Sequence, residues 1–147
     1  MSWTIPIIIL LDQLTKYWSE SVLKLNPISL GIFKLTYAEN TGIAFGMLSE
    51  KAYFHGIFST FIATILLIFR DKLRSKSKIL DLSLCFIIGG AIGNIIDRIR
   101  FGYVVDMFYV PYFSIFNIAD SFVTIGGFLL VIYLIWGNKN DRKNFSR

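Results

Sequence analysis

The chain has little from which the commoner active sites are built. It holds one cysteine and one histidine in 147 residues. Cys85, standing alone in an apolar stretch, excludes an internal disulfide framework and any CxxC redox or metal motif, and it reads as packing. His55, equally alone, excludes an HExxH or histidine-rich metal centre. Neither a GxSxG nucleophile elbow nor a phosphate-binding P-loop occurs, and no internal repeat or low-complexity tract is visible. No basic n-region and no small-residue cleavage site precede Asp12, so the first apolar stretch is expected to remain in the protein.

What is abundant is apolar surface. The composition is 54% hydrophobic and 16% aromatic, with a mean hydropathy of +0.60. Soluble domains reach an apolar share of about 45–50% only when glycine is counted. Apolar stretches run over about 3–23, 52–69, 79–99 and 115–136, each near the roughly 20 residues that a helix needs to cross a bilayer. The expectation is an all-α membrane protein, a single polytopic domain over 1–147 with four transmembrane helices. The net charge of +5 does not point to nucleic acid, because nine of the fifteen Lys and Arg residues lie in two clusters, Arg70 to Lys78 and the tail 137–147. Such clusters mark cytoplasmic segments, so both termini are expected in the cytoplasm and the connections 24–51 and 100–114 outside. The first connection carries Pro27, Gly31, Gly42 and Gly46 around β-favouring runs such as 32–37, which predicts a small β-rich cap. The second, aromatic around 108–113, is expected to be an amphipathic piece lying at the interface.

Asp12, Asp97, Asp106 and Asp120 stand in or beside these apolar stretches. A carboxylate at bilayer depth costs about 2.5–3.5 kcal/mol on insertion scales, so several in one chain point to chemistry, transport or pairing. A third helix rising from 79 delivers Asn94, Asp97 and Arg98 to its outer end, and the fourth begins near Asn117 and Asp120, with Asp106 between them. Asp97 and Arg98 also fit a buried scaffold, and Asn117 with Asp120 fits a helix cap. Capping leaves Asp106 unexplained. Two carboxylates in one low-dielectric pocket cannot both ionise easily, and that is the state an aspartic protease uses. The positive end of the fourth helix favours the anion at Asp120, making it the base and Asp106 the acid. Asp12 and Lys16, four residues apart on the first helix, read as a supporting ion pair, and Gly89 and Gly93 with Ala91 as small-residue helix packing. Asn40 lies in a run, Asn40 to Gly46, that suits a tight turn.

Five stretches in order resemble the lipoprotein signal peptidase (type II signal peptidase) family of bacteria: 12–16, 40–46, 89–98, 104–107 and 116–121. The resemblance implies a four-helix membrane protease with an extracytoplasmic β-cradle and no metal or other cofactor. It would remove the signal peptide of prolipoproteins, cutting before the cysteine that carries diacylglyceryl, in the bacterial cytoplasmic membrane near its outer face. It assigns Asp106 and Asp120 as catalytic, Asn40, Asn94, Arg98 and Asn117 as binding substrate or globomycin-like inhibitors, and Asp12, Lys16 and Asp97 as polar support. The connection between Asp106 and Asp120 is short for the family. Two other classes fit intramembrane acids. One is a small proton or ion transporter, though such proteins are commonly built from repeats. The other is a metal-dependent lipid-headgroup transferase with Asp97 and Asp106 as ligands, which lacks further acidic ligands for a two-metal site.

Overall fold

The computed structural model describes residues 2–41, 65, 77–112 and 115–137. Helix α1 (Thr4–Trp18) continues into a π-helical turn, Ser19–Leu23, and is followed by strands β1 (Ile28–Leu30) and β2 (Phe33–Asn40). Helix α2 (Lys78–Phe101), strand β3 (Val104–Tyr109) and helix α3 (Ile118–Ile132), extended by a second π turn Tyr133–Gly137, complete the described elements. The expected span over 52–69 (apart from residue 65), the Gly42 to Gly46 part of the turn and the basic tail beyond Gly137 lie outside the described residues.

Helix α1 is built inside out. Its buried row is Ile8, Asp12 and Lys16, at a spacing of four, while Ile7, Leu10 and Leu14 on the other side are more than half exposed. A helix that hides its charges and presents leucine outward suits a surround of lipid. The same holds for α3, whose Ile125, Phe128 and Val131 are exposed. Both α2 and the helix from Ile118 to Trp136 are long and apolar enough to cross a membrane. Helices α2 and α3 pack around Leu80, Leu84, Ile88 and Tyr133. Their approach is close because Gly90 has no side chain: a Cβ there would collide with the carbonyl oxygen of Ala119. Gly89 and Gly93 face α1 instead, a Cβ at Gly93 falling 2.5 Å from Asp12 Oδ2.

The strands form one antiparallel sheet in the order β1-β2-β3. A two-residue turn joins β1 to β2, with Gly31 at positive φ (66°) in the first central position, as such hairpins require. The 24–51 segment is thus strand-bearing as expected over its described part. The 100–114 connection, expected as an amphipathic interfacial piece, contains a strand that this reading did not name. Its Val104 to Tyr109 run is a strand paired with β2, with Ala38 opposite Asp106 and Asn40 opposite Val104. Two valines and two aromatics in six residues favour extended backbone, and β2 offers free ladder groups that a surface helix would leave unpaired. Gly102, at φ 81°, closes α2 by donating its N–H to the Arg98 carbonyl and turns the chain into β3. Phe116 then returns along β3, exchanging backbone hydrogen bonds with Phe108 at 2.9 and 3.2 Å. That return sets Asn117, the first residue of the α3 cap, against Asp106.

Candidate active site

The polar residues of α1, α2, β2, β3 and α3 meet where α2 ends and α3 begins. Asn117 caps α3: its Oδ1 accepts the Asp120 N–H at 2.9 Å, and Asp120 Oδ2 accepts the Asn117 N–H at 3.3 Å. This is the reciprocal capping box that the Asn-x-x-Asp spacing suggested. Capping does not exhaust either residue. The Asn117 amide also donates to Asp106 Oδ1 at 2.7 Å and lies within hydrogen-bond reach of Asn94 Oδ1 and the Val105 carbonyl. Asn94 in turn donates to Asp120 Oδ1 at 2.8 Å. Asp106 and Asp120 are therefore linked through two asparagine amides.

Asn40, exposed at the end of β2, donates to the second Asp106 oxygen at 2.7 Å. Asp106 is 1% exposed, whereas Asp120 is half-buried. Burial pushes the Asp106 carboxyl up to about 6; the Asn40 amide opposes the rise and the nearby Asp120 carboxylate adds to it. Arg98, half-buried, lies within electrostatic range of Asp120, Asp106 and Asp97. The pair thus has one dry member, one open member and a cation beside them.

Beneath the pair lies a second layer of charge. Lys16 is 4% exposed and stands 2.7 Å from Asp12 Oδ2, 2.9 Å from Asp97 Oδ2 and 3.0 Å from Asn94 Oδ1, an acceptor for each of its three protons. Asp12 Oδ1 accepts the Ala119 N–H at 2.9 Å and Asp97 Oδ2 the Val105 N–H at 3.1 Å. Asp97 additionally takes the Gln13 amide at 2.9 Å. Three donors thus converge on the one buried Asp97 carboxylate, two on Oδ2 and one on Oδ1. Every residue that the sequence assigned to catalysis, binding or polar support falls in this one cluster: Asp12, Lys16, Asn40, Asn94, Asp97, Arg98, Asp106, Asn117 and Asp120. Sequence reasoning missed Gln13 and the backbone N–H groups of Val105 and Ala119. For Gln13 the only signal was its position inside the 12–16 motif. For the two N–H groups there was none.

Known proteins resemble this arrangement over nearly the whole chain. The family described as Signal peptidase (SPase) II matches residues 4–136. A lipoprotein signal peptidase of Halothermothrix orenii is 45% identical over 131 residues, covering 87% of this chain and 90% of the relative. One from Streptococcus thermophilus is 42% identical over 145 residues, covering 92% and 94%. Among solved structures, a bacterial membrane enzyme at 30% identity superposes with a TM-score of 0.76 and covers 94% of this chain and 88% of its own. A second, also at 30% identity, gives 0.74 with 91% coverage of both. The paired acids, the asparagine amides that join them and these likenesses converge on one assignment: the chain belongs to the signal peptidase II family.

Proposed function

We propose that the protein is an intramembrane aspartic endopeptidase that removes signal peptides from diacylglyceryl-modified prolipoproteins, cutting before the lipidated cysteine. The observation that carries this reading is the shared amide scaffold, in which Asn117 and Asn94 tie Asp106 to Asp120 where two apolar helices meet. In the reaction, Asp120 at the positive end of α3 takes a proton from water, whose oxygen attacks the scissile carbonyl carbon. Asp106, buried and holding a proton, donates it to the carbonyl oxygen as that oxygen gains charge. Collapse of the tetrahedral intermediate returns the Asp106 proton, breaks the C–N bond and passes the proton from Asp120 to the leaving amine.

We assign Asn40 and Arg98, at the more open edge, to the substrate backbone or to a globomycin-like inhibitor. Asn94 and Asn117 belong to the same binding set, but their buried amides act on substrate chiefly through the acids they hold. A signal peptide must leave its helix to be cut, and non-helical backbone at membrane depth is tolerated only in a polar, protein-lined cavity. The diacylglyceryl chains stay in the bilayer, which avoids about 0.8 kcal/mol for each CH₂ exposed to water. Membrane depth then selects the substrate. The proposed setting is four spans in the bacterial cytoplasmic membrane, with the termini inside, the sheet and the acid pair near the outer face, and no nucleic-acid partner. Membership of a peptidase family leaves the transporter alternative without support.

The test is cleavage of a diacylglyceryl-modified prolipoprotein by the purified protein, by Asp106→Asn and by Asp120→Asn, in EDTA. Turnover by the native protein alone is expected. Activity in either variant, loss of native activity in EDTA, or equal cutting of unmodified substrate would each contradict a stated part of the proposal.

A further inference from the structure

The residue before each proposed catalytic acid is anchored to a carboxylate on another element. Val105 donates its N–H to Asp97 Oδ2, and Ala119 donates its N–H to Asp12 Oδ1. These two carboxylates come from α2 and α1, yet they meet the same two side chains. Lys16 Nζ bonds both through their Oδ2 atoms. Gln13 Nε2 lies 2.9 Å from Asp97 Oδ1 and 3.3 Å from Asp12 Oδ2, with the Gly93 carbonyl 3.2 Å away. An ammonium neutralises the two anions but is a compact point charge that fixes distance more than orientation. A planar amide donates along set directions, and Gln13 is the group that engages Asp97 Oδ1.

Building on the endopeptidase reading, we propose that Gln13 is a positioning residue: with Lys16 it orients the Asp12 and Asp97 carboxylates, and through the Ala119 and Val105 N–H groups it sets how far apart Asp120 and Asp106 stand. That separation governs how strongly the two acids repel, and so how far apart their two proton losses fall in the pH–rate profile. Among the described residues, the titratable groups that face the amide are Asp12 and Lys16 on α1 and Asp97 on α2.

The test measures kcat and KM against pH for Gln13→Met and Gln13→Glu, with a diacylglyceryl-modified prolipoprotein in detergent. Gln13→Met keeps length and loses both donors. It is expected to lower kcat roughly tenfold or more at a nearly unchanged KM and to alter the width of the bell-shaped kcat profile. A kcat loss equal to the loss of folded enzyme, with the bell unaltered, would overturn the proposal. Gln13→Glu keeps the packing volume and donates only while protonated; the Asp12 and Asp97 carboxylates facing it hold its proton loss above the ordinary value of about 4.3, so its turnover relative to the native protein should fall as pH rises from roughly 5 to roughly 8. A ratio independent of pH would also overturn it. Asp106→Asn and Asp120→Asn run alongside: activity there sinks the endopeptidase reading and this inference together. Inert acid variants beside native-like Gln13 variants sink this inference alone.

Discussion

Asn117 donates its side-chain amide to Asp106 Oδ1 at 2.7 Å while its own Oδ1 accepts the backbone N–H that begins Asp120. One buried residue is both helix cap and tether between the acids. The two duties separate by substitution. Serine also caps helices well, so Asn117→Ser should be more stable than Asn117→Ala by about 1 kcal/mol. Neither retains an amide donor for Asp106, and both should lose turnover by the same factor, tenfold or more on the order expected for misplaced catalytic groups. Thermal unfolding and cleavage assays on the pair decide it. Native turnover in Asn117→Ser would show that the tether is dispensable.

The Asn40 amide stabilises the Asp106 anion, opposing the burial that raises its carboxyl to about 6. Removing that donor must raise the value further. Since Asp106 works protonated in the proposed reaction, the alkaline limb of the kcat profile should move to higher pH in Asn40→Ala, even as the rate falls. An alkaline limb that stays put or moves down would remove Asp106 from the acid role.

A raised carboxyl also leaves a mark on stability. The folded value of about 6 lies above the ordinary 3.8, so the stability Asp106 contributes is fully present below 3.8 and is lost as pH rises through 6. Asp106→Asn lacks this titration. Its stability relative to the native protein should therefore climb between pH 4 and pH 7, by at most about 3 kcal/mol, given about 1.4 kcal/mol for each pH unit of displacement. Equilibrium unfolding at the two pH values in one detergent measures the difference. A gap that stays constant would show that the buried carboxyl titrates normally, and one that moves against the variant that folding lowers it; either would contradict the raised value.

How legible this site was depends on how local each contact is. The Asp12–Lys16 pair and the face shared by Asn94, Asp97 and Arg98 follow from helical spacing. So does the Asn117–Asp120 cap. Strand in the 24–51 segment was legible from its β-favouring run 32–37, though the pairing of β1 with β2 across Gly31 was not. Strand β3 was not legible either, because its aromatics suit an interfacial helix as well as a strand, and only pairing with β2 decides between them. The Val105 and Ala119 N–H groups were invisible for a related reason: a backbone donor carries no residue identity, and its partner lies on a distant element. Gln13 was overlooked because an isolated amide next to an ion pair has no spacing rule of its own.

Lys16 meets Asp12, Asp97 and Asn94 with almost no exposure, so its removal takes from two buried carboxylates the ammonium that bonds both. Lys16→Met should cost about 3–5 kcal/mol, as expected for breaking a buried ion pair from one side. Adding Asp97→Asn removes one of the stranded charges. The double variant should then be less destabilised than the sum of the single changes. Additive losses in a double-mutant cycle would mean that the ammonium and the Asp97 carboxylate do not depend on each other.

The last dependence is steric. Gly90 lets the α2 backbone lie against the Ala119 carbonyl, and the residue after Ala119 is Asp120. A methyl at position 90 meets backbone there, not the end of a flexible side chain, so the first turn of α3 has to move. Gly90→Ala should cost about 1–3 kcal/mol as overpacking and should lower kcat by displacing Asp120 from the Asn94 amide. Gly127 lies further along α3, and an added Cβ there meets nothing within 4 Å among the described residues. Gly127→Ala should leave turnover unchanged and raise stability by about 0.5–1 kcal/mol through helix propensity alone. The two substitutions add the same methyl group to helical glycines. Equal effects on kcat would therefore show that close contact between α2 and α3 at Ala119 does not hold Asp120 in place.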